Sequence, residues 1–120
     1  MKKTIFVIDD DQIILDGIHS ILDEEGFNVV SVTKGKLLKD KLKRSKPDLI
    51  LLDYLLEGEN GVSVAQELKL NKSMKNIPVI LISGSSTTRE LAAMAGAVDF
   101  VEKPFGIQTL LQKVHKHLQV

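Results

Sequence analysis

Three consecutive aspartates, Asp9, Asp10 and Asp11, end the apolar stretch "FVI" near the start of the chain, and Asp53 ends a second apolar run, "DLILL". Carboxylates crowded within a few Å either raise one another's pKa or hold a cation. Oxygen donors suit a hard divalent ion, above all Mg²⁺, which keeps several waters and takes one or two carboxylates plus phosphate. Two more polar groups end apolar runs: Ser83 after "PVILI" and Lys103 just beyond "DFV". An ammonium does not help bind a metal, but it does help bind an anion. A cation site, an amine and a hydroxyl around one carboxylate are the equipment of phosphoryl transfer, where a protein mainly positions groups and neutralises charge on the moving phosphoryl. Each residue also has a plainer role. An aspartate at a strand end often caps the next helix, Ser83 opens the loop "SGSSTT", and Lys103 can simply be solvated. One cap needs one acidic side chain, not three, so the convergence favours the chemical reading.

That convergence depends on the elements between these residues. Five short apolar runs, 4–8, 27–32, 48–52, 78–82 and 99–101, are mostly continuous and rich in Ile and Val. Such runs mark strands covered on both faces of a parallel sheet. Between them, Ile14, Ile18, Ile21 and Leu22 repeat at helical spacing and stop at Gly26, a suitable C-terminal glycine. A second helix is expected around Leu37, Leu38 and Leu42, and a third after Gly61 around Val64, Ala65 and Leu68. A short fourth covers Leu91 to Ala95, and a strong final stripe runs through Ile107, Leu110, Leu111, Val114 and Leu118. The alternation predicts an α/β fold: an open, doubly wound sheet of five parallel strands with five helices on its two faces. Ligands of such sheets bind outside the carboxyl ends of the strands, where Asp9, Asp10, Asp53, Ser83 and Lys103 all fall.

Composition sets the limits. At 120 residues the chain is expected to form one domain over 1–120, large enough to bury a core without staples. Lys and Arg number 16 and Asp and Glu 16, and no cysteine is present, so neither a thiolate metal site nor a disulfide framework is available. The apolar run after "MKK" is too short for a signal segment or a membrane span, which makes a cytoplasmic protein the default. The basic stretch Lys34, Lys36, Lys39, Lys41, Lys43, Arg44 and Lys46 reads as a solvated helix face rather than a nucleic-acid surface, because net charge is zero and no aromatics interleave. His115 and His117 point to different faces of one helix and do not make a metal site, and Tyr54 reads as packing.

Five motifs stand in order on these βα units: "IDDD", "PDLILLD", "PVILIS", "GAVDF" and "KPF". With them the whole chain resembles the receiver domain of two-component response regulators, as in the chemotaxis regulator. The resemblance implies a flavodoxin-like sheet of strand order 2-1-3-4-5. It implies that Asp53 accepts a phosphoryl group from a sensor histidine kinase or histidine phosphotransferase, making the protein a signalling phosphoacceptor rather than an enzyme. Asp10 would bind Mg²⁺ directly and Asp9 largely through water, with Asp53 and the Leu55 backbone carbonyl completing the set. Lys103 would pair with phosphoryl oxygens beside a cis bond to Pro104, Ser83 would hydrogen-bond the phosphoryl group, and Phe100 would follow that movement. The output partner would dock on the face of helix four, strand five and helix five, with homodimerisation on phosphorylation as one form of output and no direct contact with nucleic acid or membrane.

The chain departs from the family pattern at several points. Glu57 stands where proline is usual, which predicts a more mobile loop; Ser83 replaces the commoner threonine, Gly84 alanine and Phe100 tyrosine. The Ser83 to Lys103 interval of 20 residues is shorter than the commonest spacing, so the fourth loop or helix is expected to be trimmed. The end of the chain, about one turn past the last stripe, fits either a stand-alone regulator or an excised domain. Two rival readings remain. One is a haloacid-dehalogenase-like phosphatase using Asp9 and Asp11, which leaves Asp53 idle. The other is a phosphorylation-independent interaction module, against which the full set of site residues argues.

Overall fold

The computed structural model describes residues 2–119. In chain order the elements are β1 (Thr4–Ile8), α1 (Gln12–Glu24), β2 (Asn28–Val32), α2 (Gly35–Leu42), β3 (Leu49–Asp53), β4 (Leu55–Leu56), β5 (Glu59–Asn60), α3 (Gly61–Leu70), β6 (Val79–Ser83), α4 (Thr88–Ala95), β7 (Asp99–Glu102) and α5 (Ile107–Leu118). The five long strands form one parallel sheet in the order β2-β1-β3-β6-β7, the expected 2-1-3-4-5 of a doubly wound fold. The short strands β4 and β5 were not anticipated. They pair with each other, antiparallel and outside the main sheet, across a turn at Glu57 and Gly58, where φ of Gly58 is 79°. The segment that carries Glu57 is therefore built as a hairpin, its glycine supplying the positive φ that the turn requires.

The pleat divides the side chains of the sheet between two cores. Phe6, Ile8, Ile50, Leu52, Val79 and Leu81 face α2, α3 and α4, where they meet Leu38, Leu42, Val64, Leu68 and Ala95. Ile5, Val7, Leu49, Leu51, Ile80 and Ile82 face α1 and α5, packing on Leu15, Ile18, Leu22, Leu110 and Val114. Strands β1, β3 and β6 are thus apolar at nearly every position because both of their faces are covered. Truncating a leucine such as Leu51, fully buried at 0% exposure, would cost about 2–5 kcal/mol.

Helix ends follow local chemistry. Asp11 is the N-cap of α1, its Oδ1 accepting from the Ile13 and Ile14 amides at 3.0 and 3.3 Å. Asn60 does the same for α3 through the Ser63 amide at 2.9 Å, and α4 stops at Gly96 in the left-handed region. Helix α4 is short, eight residues, as expected of the fourth helix. Two expected core positions lie outward: Leu37 is 42% exposed and Ile107 54%. Leu37 neighbours Leu38, and successive residues on a helix point about 100° apart, so only one of the two can face the sheet. Ile107 opens α5, a turn before the stripe that reaches the sheet.

Candidate phosphoryl-transfer site

The same pleat assembles the candidate site. Asp53 is the last residue of β3, continuing the row of Leu49 and Leu51; Asp9 continues the row of Ile5 and Val7; Lys103 follows two residues after Val101. These rows share the α1/α5 side of the sheet and lie on β1, β3 and β7. Register pairs Val7 with Leu51, so the two aspartates project side by side at the carboxyl end. Asp53 and Ser83 were expected just past their strands; each is instead the final strand residue, because the ladders run one residue further: the Tyr54 amide donates to the Ile82 carbonyl and the Lys103 amide to the Ser83 carbonyl, each at 2.8 Å.

Asp9, Asp10 and Asp53 offer carboxylate oxygens that all lie within 4.8 Å of one another. The Lys103 ammonium stands 3.0 Å from Asp9 Oδ2 and 3.0 Å from Asp53 Oδ1. Asp9, 1% exposed, is also held at Oδ1 by the Asp11 amide at 2.9 Å, so both of its oxygens carry protein donors. Asp10 is exposed and, among the described residues, neither of its oxygens has a donor. The second oxygen of Asp53 is free in the same sense. Burial pushes the Asp53 carboxyl up to about 6, with the charges of Asp9 and Asp10 adding to the rise and the Lys103 hydrogen bond opposing it. For Lys103 burial works toward deprotonation, but hydrogen bonds to Asp9 and Asp53 outweigh it and hold the amine above the ordinary lysine value.

A site of oxygen donors with one neutralising ammonium fits a divalent cation: three carboxylates face a single ammonium, and one of them, Asp10, is open to solvent. Leu55 stands two residues beyond Asp53 in β4, with its side chain turned out at 68% exposure.

Ser83 closes β6, the strand next to β3, and is 2% exposed. Its Oγ accepts from the Ser85 amide at 2.9 Å, and its carbonyl accepts from the Lys103 amide at 2.8 Å. The Lys103–Pro104 bond is cis. Phe100 is not brought to the site. It lies three residues before Lys103, partly buried against the α2/α3/α4 core, with the Lys113 ammonium 4.6 Å and the Arg89 guanidinium 5.7 Å from the ring centroid. His115 and His117 indeed turn apart: His115 packs on Phe27, while His117 Nε2 lies 2.8 Å from Asp99 Oδ2. Tyr54 packs against the core as expected.

Two contributors escaped sequence reasoning. Gly61 begins α3 so close to Asp53 that a Cβ there would collide with the Asp53 carbonyl oxygen and lie 3.1 Å from Tyr54 Cα; its amide donates to the Tyr54 carbonyl at 2.7 Å. A glycine opening a helix was the available signal. Lys113 joins Asp99 Oδ1 at 3.1 Å and donates to the Phe100 carbonyl, a contact made across 13 residues of sequence that no local pattern announces.

A family model described as the response regulator receiver domain matches residues 5–115. The DNA-binding response regulator MtrA of Mycolicibacterium smegmatis is 30% identical over 99% of this chain, which covers 52% of that protein. The chain therefore spans about half the length of the curated relatives it matches. Among solved structures, the receiver domain of NtrX from Brucella abortus superposes with a TM-score of 0.87 at 31% identity, covering 97% of this chain and 98% of that one. The receiver domain of sensor histidine kinase PA1611 from Pseudomonas aeruginosa, which carries a magnesium ion in its active site cleft, shares the fold at a TM-score of 0.90 and 23% identity, with both chains fully covered. With 5–115 matched as one unit and the acidic cluster at the strand ends, this chain belongs to the response regulator receiver domain family.

Proposed function

We propose that Asp53 accepts a phosphoryl group from a phosphohistidine on a sensor histidine kinase or histidine phosphotransferase, and that the change is read by a partner protein. The observation that carries this is the Asp53 carboxylate itself: buried, one oxygen held by Lys103, the other free, with two further carboxylates beside it. The free oxygen forms a bond to phosphorus as the phosphorus–nitrogen bond of the donor breaks. The electron pair of that bond stays on the imidazole nitrogen, which takes a proton from solvent. Water later cleaves the acyl phosphate to inorganic phosphate and the Asp53 carboxylate. The protein acts as a phosphoacceptor rather than a turnover enzyme.

Asp10, with free oxygens, would hold Mg²⁺ directly; Asp9, whose oxygens are already engaged, would act largely through water; Asp53 and the Leu55 carbonyl would complete the protein's share. Bound there, the ion would neutralise charge on the phosphoryl oxygens. Lys103 moves from the Asp53 carboxylate to the phosphoryl oxygens, keeping one anionic partner throughout. Ser83 donates its hydroxyl proton to the phosphoryl group, and Phe100 on β7 follows. The output face is α4, β7 and α5, with homodimerisation on phosphorylation as one form of output and no direct contact with nucleic acid. Among the described residues no helix is long and apolar enough to cross a membrane, and a cytoplasmic site of action for this single receiver unit, 1–120, is part of the proposal.

The phosphatase reading loses its second carboxylate, because Asp11 is occupied in capping α1. Incubation with acetyl phosphate and Mg²⁺, followed by intact-mass measurement, tests the assignment: the parent gains one phosphoryl group and Asp53→Asn gains none. Equal labelling of the variant would show the acceptor to be elsewhere.

A further inference from the structure

Basic charge is concentrated at one place on this neutral chain. Seven of its 16 Lys and Arg side chains fall within 34–46, where Asp40 is the lone acid, and Lys72 and Lys75 follow on the neighbouring loop. Among the described residues only Lys39 of this stretch has an ion-pair partner, Glu67 of α3. Between α2 and α3 lies a cleft of about 230 Å³ floored by Leu42, Leu68 and Met74, and it runs on into a depression of about 510 Å³ rimmed by Lys43, Arg44 and Lys46. Both share Leu42, Lys43 and Met74, so they form one trough. It sits where α2 and α3 end and β3 and β6 begin, at the opposite end of the sheet from Asp53.

We propose that this trough docks an acidic peptide segment of a partner protein, an apolar side chain seated on Leu42, Leu68 and Met74 and its flanking carboxylates facing Lys43, Arg44 and Lys46. Charge complementarity selects the occupant: three cations without anionic partners repel one another until an anion arrives, and the site gains more from a polyanion than from a neutral chain. The apolar floor selects among anions. A nucleic acid or lipid headgroup would use the cations and leave the cleft between Lys39 and Met74 empty, whereas one apolar side chain fills it. The unpaired carbonyls at the end of α2 oppose an anion weakly, an effect of fractions of a unit charge that the three cations outweigh. Because the trough lies away from the site, its occupant does not block the donor's approach to Asp53. It supplies a tether that brings a partner to the receiver before phosphorylation.

The test uses the full chain, ¹⁵N-labelled, titrated with a blocked Glu-Glu-Glu-Phe-Glu-Glu-Glu peptide. Shifts are expected to centre on Leu42, Lys43 and Met74. They should weaken about tenfold or more when Lys43→Glu and Arg44→Glu are combined, and again when serine replaces the peptide's phenylalanine. Both substituted residues are exposed, and unchanged phosphoryl labelling of Asp53 will report that the variant folds. Shifts centred elsewhere, or an affinity indifferent to the phenylalanine, would overturn the proposal. So would tighter binding at these residues by a duplex oligonucleotide or by phosphatidylglycerol vesicles.

Discussion

Lys103 Nζ lies 3.0 Å from Asp53 Oδ1, yet the Asp53 carboxyl still titrates near 6, so burial and two neighbouring carboxylates outweigh an ion pair at contact distance. The sign of the consequence is fixed by linkage. Asp53 binds its proton more tightly folded, at about 6, than at its ordinary 3.8, so its ionisation costs the fold nothing below 3.8, an increasing amount between 3.8 and 6, and a constant amount above. A two-unit shift corresponds to about 3 kcal/mol, which relaxation and water penetration around the buried carboxylate reduce to on the order of 1 kcal/mol. Metal-free Asp53→Asn should therefore melt roughly 3–5 °C above the parent near neutral pH, and the difference should vanish as pH falls below about 4. Calorimetry across that range decides it; a variant that melts lower at neutral pH would show that the Lys103 pair dominates.

The carboxylate crowding that adds to the effect of burial at Asp53 also predicts a response to cation. An ion bound only by the folded state stabilises it, by about 2.7 kcal/mol at a hundred times the dissociation constant. Mg²⁺ at millimolar levels should raise the melting temperature of the parent. Asp10→Asn removes an exposed carboxylate with free oxygens, so it should stabilise the metal-free protein and blunt the rise. A parent melting curve indifferent to Mg²⁺ speaks against a shared cation site.

Two glycines should respond oppositely to alanine. Gly61 abuts the backbone of Asp53 and Tyr54, so Gly61→Ala must displace the start of α3 or Asp53 itself, costing about 1–3 kcal/mol and slowing Asp53 labelling. Gly17, inside α1, has nothing within 4 Å of an added Cβ, and Gly17→Ala should stabilise by about 0.5–1 kcal/mol. Chemical denaturation of the pair reads both; equal effects would mean that the packing around Gly61 yields.

The contrast marks what the sequence could and could not reveal. Continuous Ile and Val runs disclosed the strands, because burial on both faces leaves no polar positions, and their ends disclosed Asp9, Asp53, Ser83 and Lys103. That one aspartate of the opening run would cap the next helix was legible because capping is local. The β4–β5 hairpin was not, since two-residue strands built from "LLEGEN" carry no period. Nor was the grouping of Asp99, Lys113 and His117, which depends on how α5 lies against β7 rather than on any spacing within either.

That grouping sets the last prediction, which rests on Asp53 as acceptor. Asp99 is held below the usual carboxylate range: burial alone would raise it, but hydrogen bonds from His117, the Phe100 amide and Lys113 prevail. The anchored Asp99 fixes the Lys113 ammonium 4.6 Å from the Phe100 ring centroid, and Lys113 also donates to the Phe100 carbonyl. Phe100 is therefore held from α5, while in the proposed reading Ser83, one strand away, is the hydroxyl whose movement toward a phosphoryl group would open room beside it. A ligand shifts a population only through groups that meet it differently in the two states, and such coupling is worth about 1–3 kcal/mol. Ser83→Ala should still accept a phosphoryl group at Asp53 but lose most of the change around Phe100 and α5. Lys113→Met should do the reverse, removing a cation–π contact worth about 0.5–1 kcal/mol and moving the unphosphorylated protein about two- to fivefold toward the released ring. Heteronuclear NMR with and without beryllofluoride checks both. If Ser83→Ala shows parental shifts at Phe100, Ser83 is not the link; if Lys113→Met leaves the unphosphorylated ring signals unmoved, Lys113 does not hold the ring.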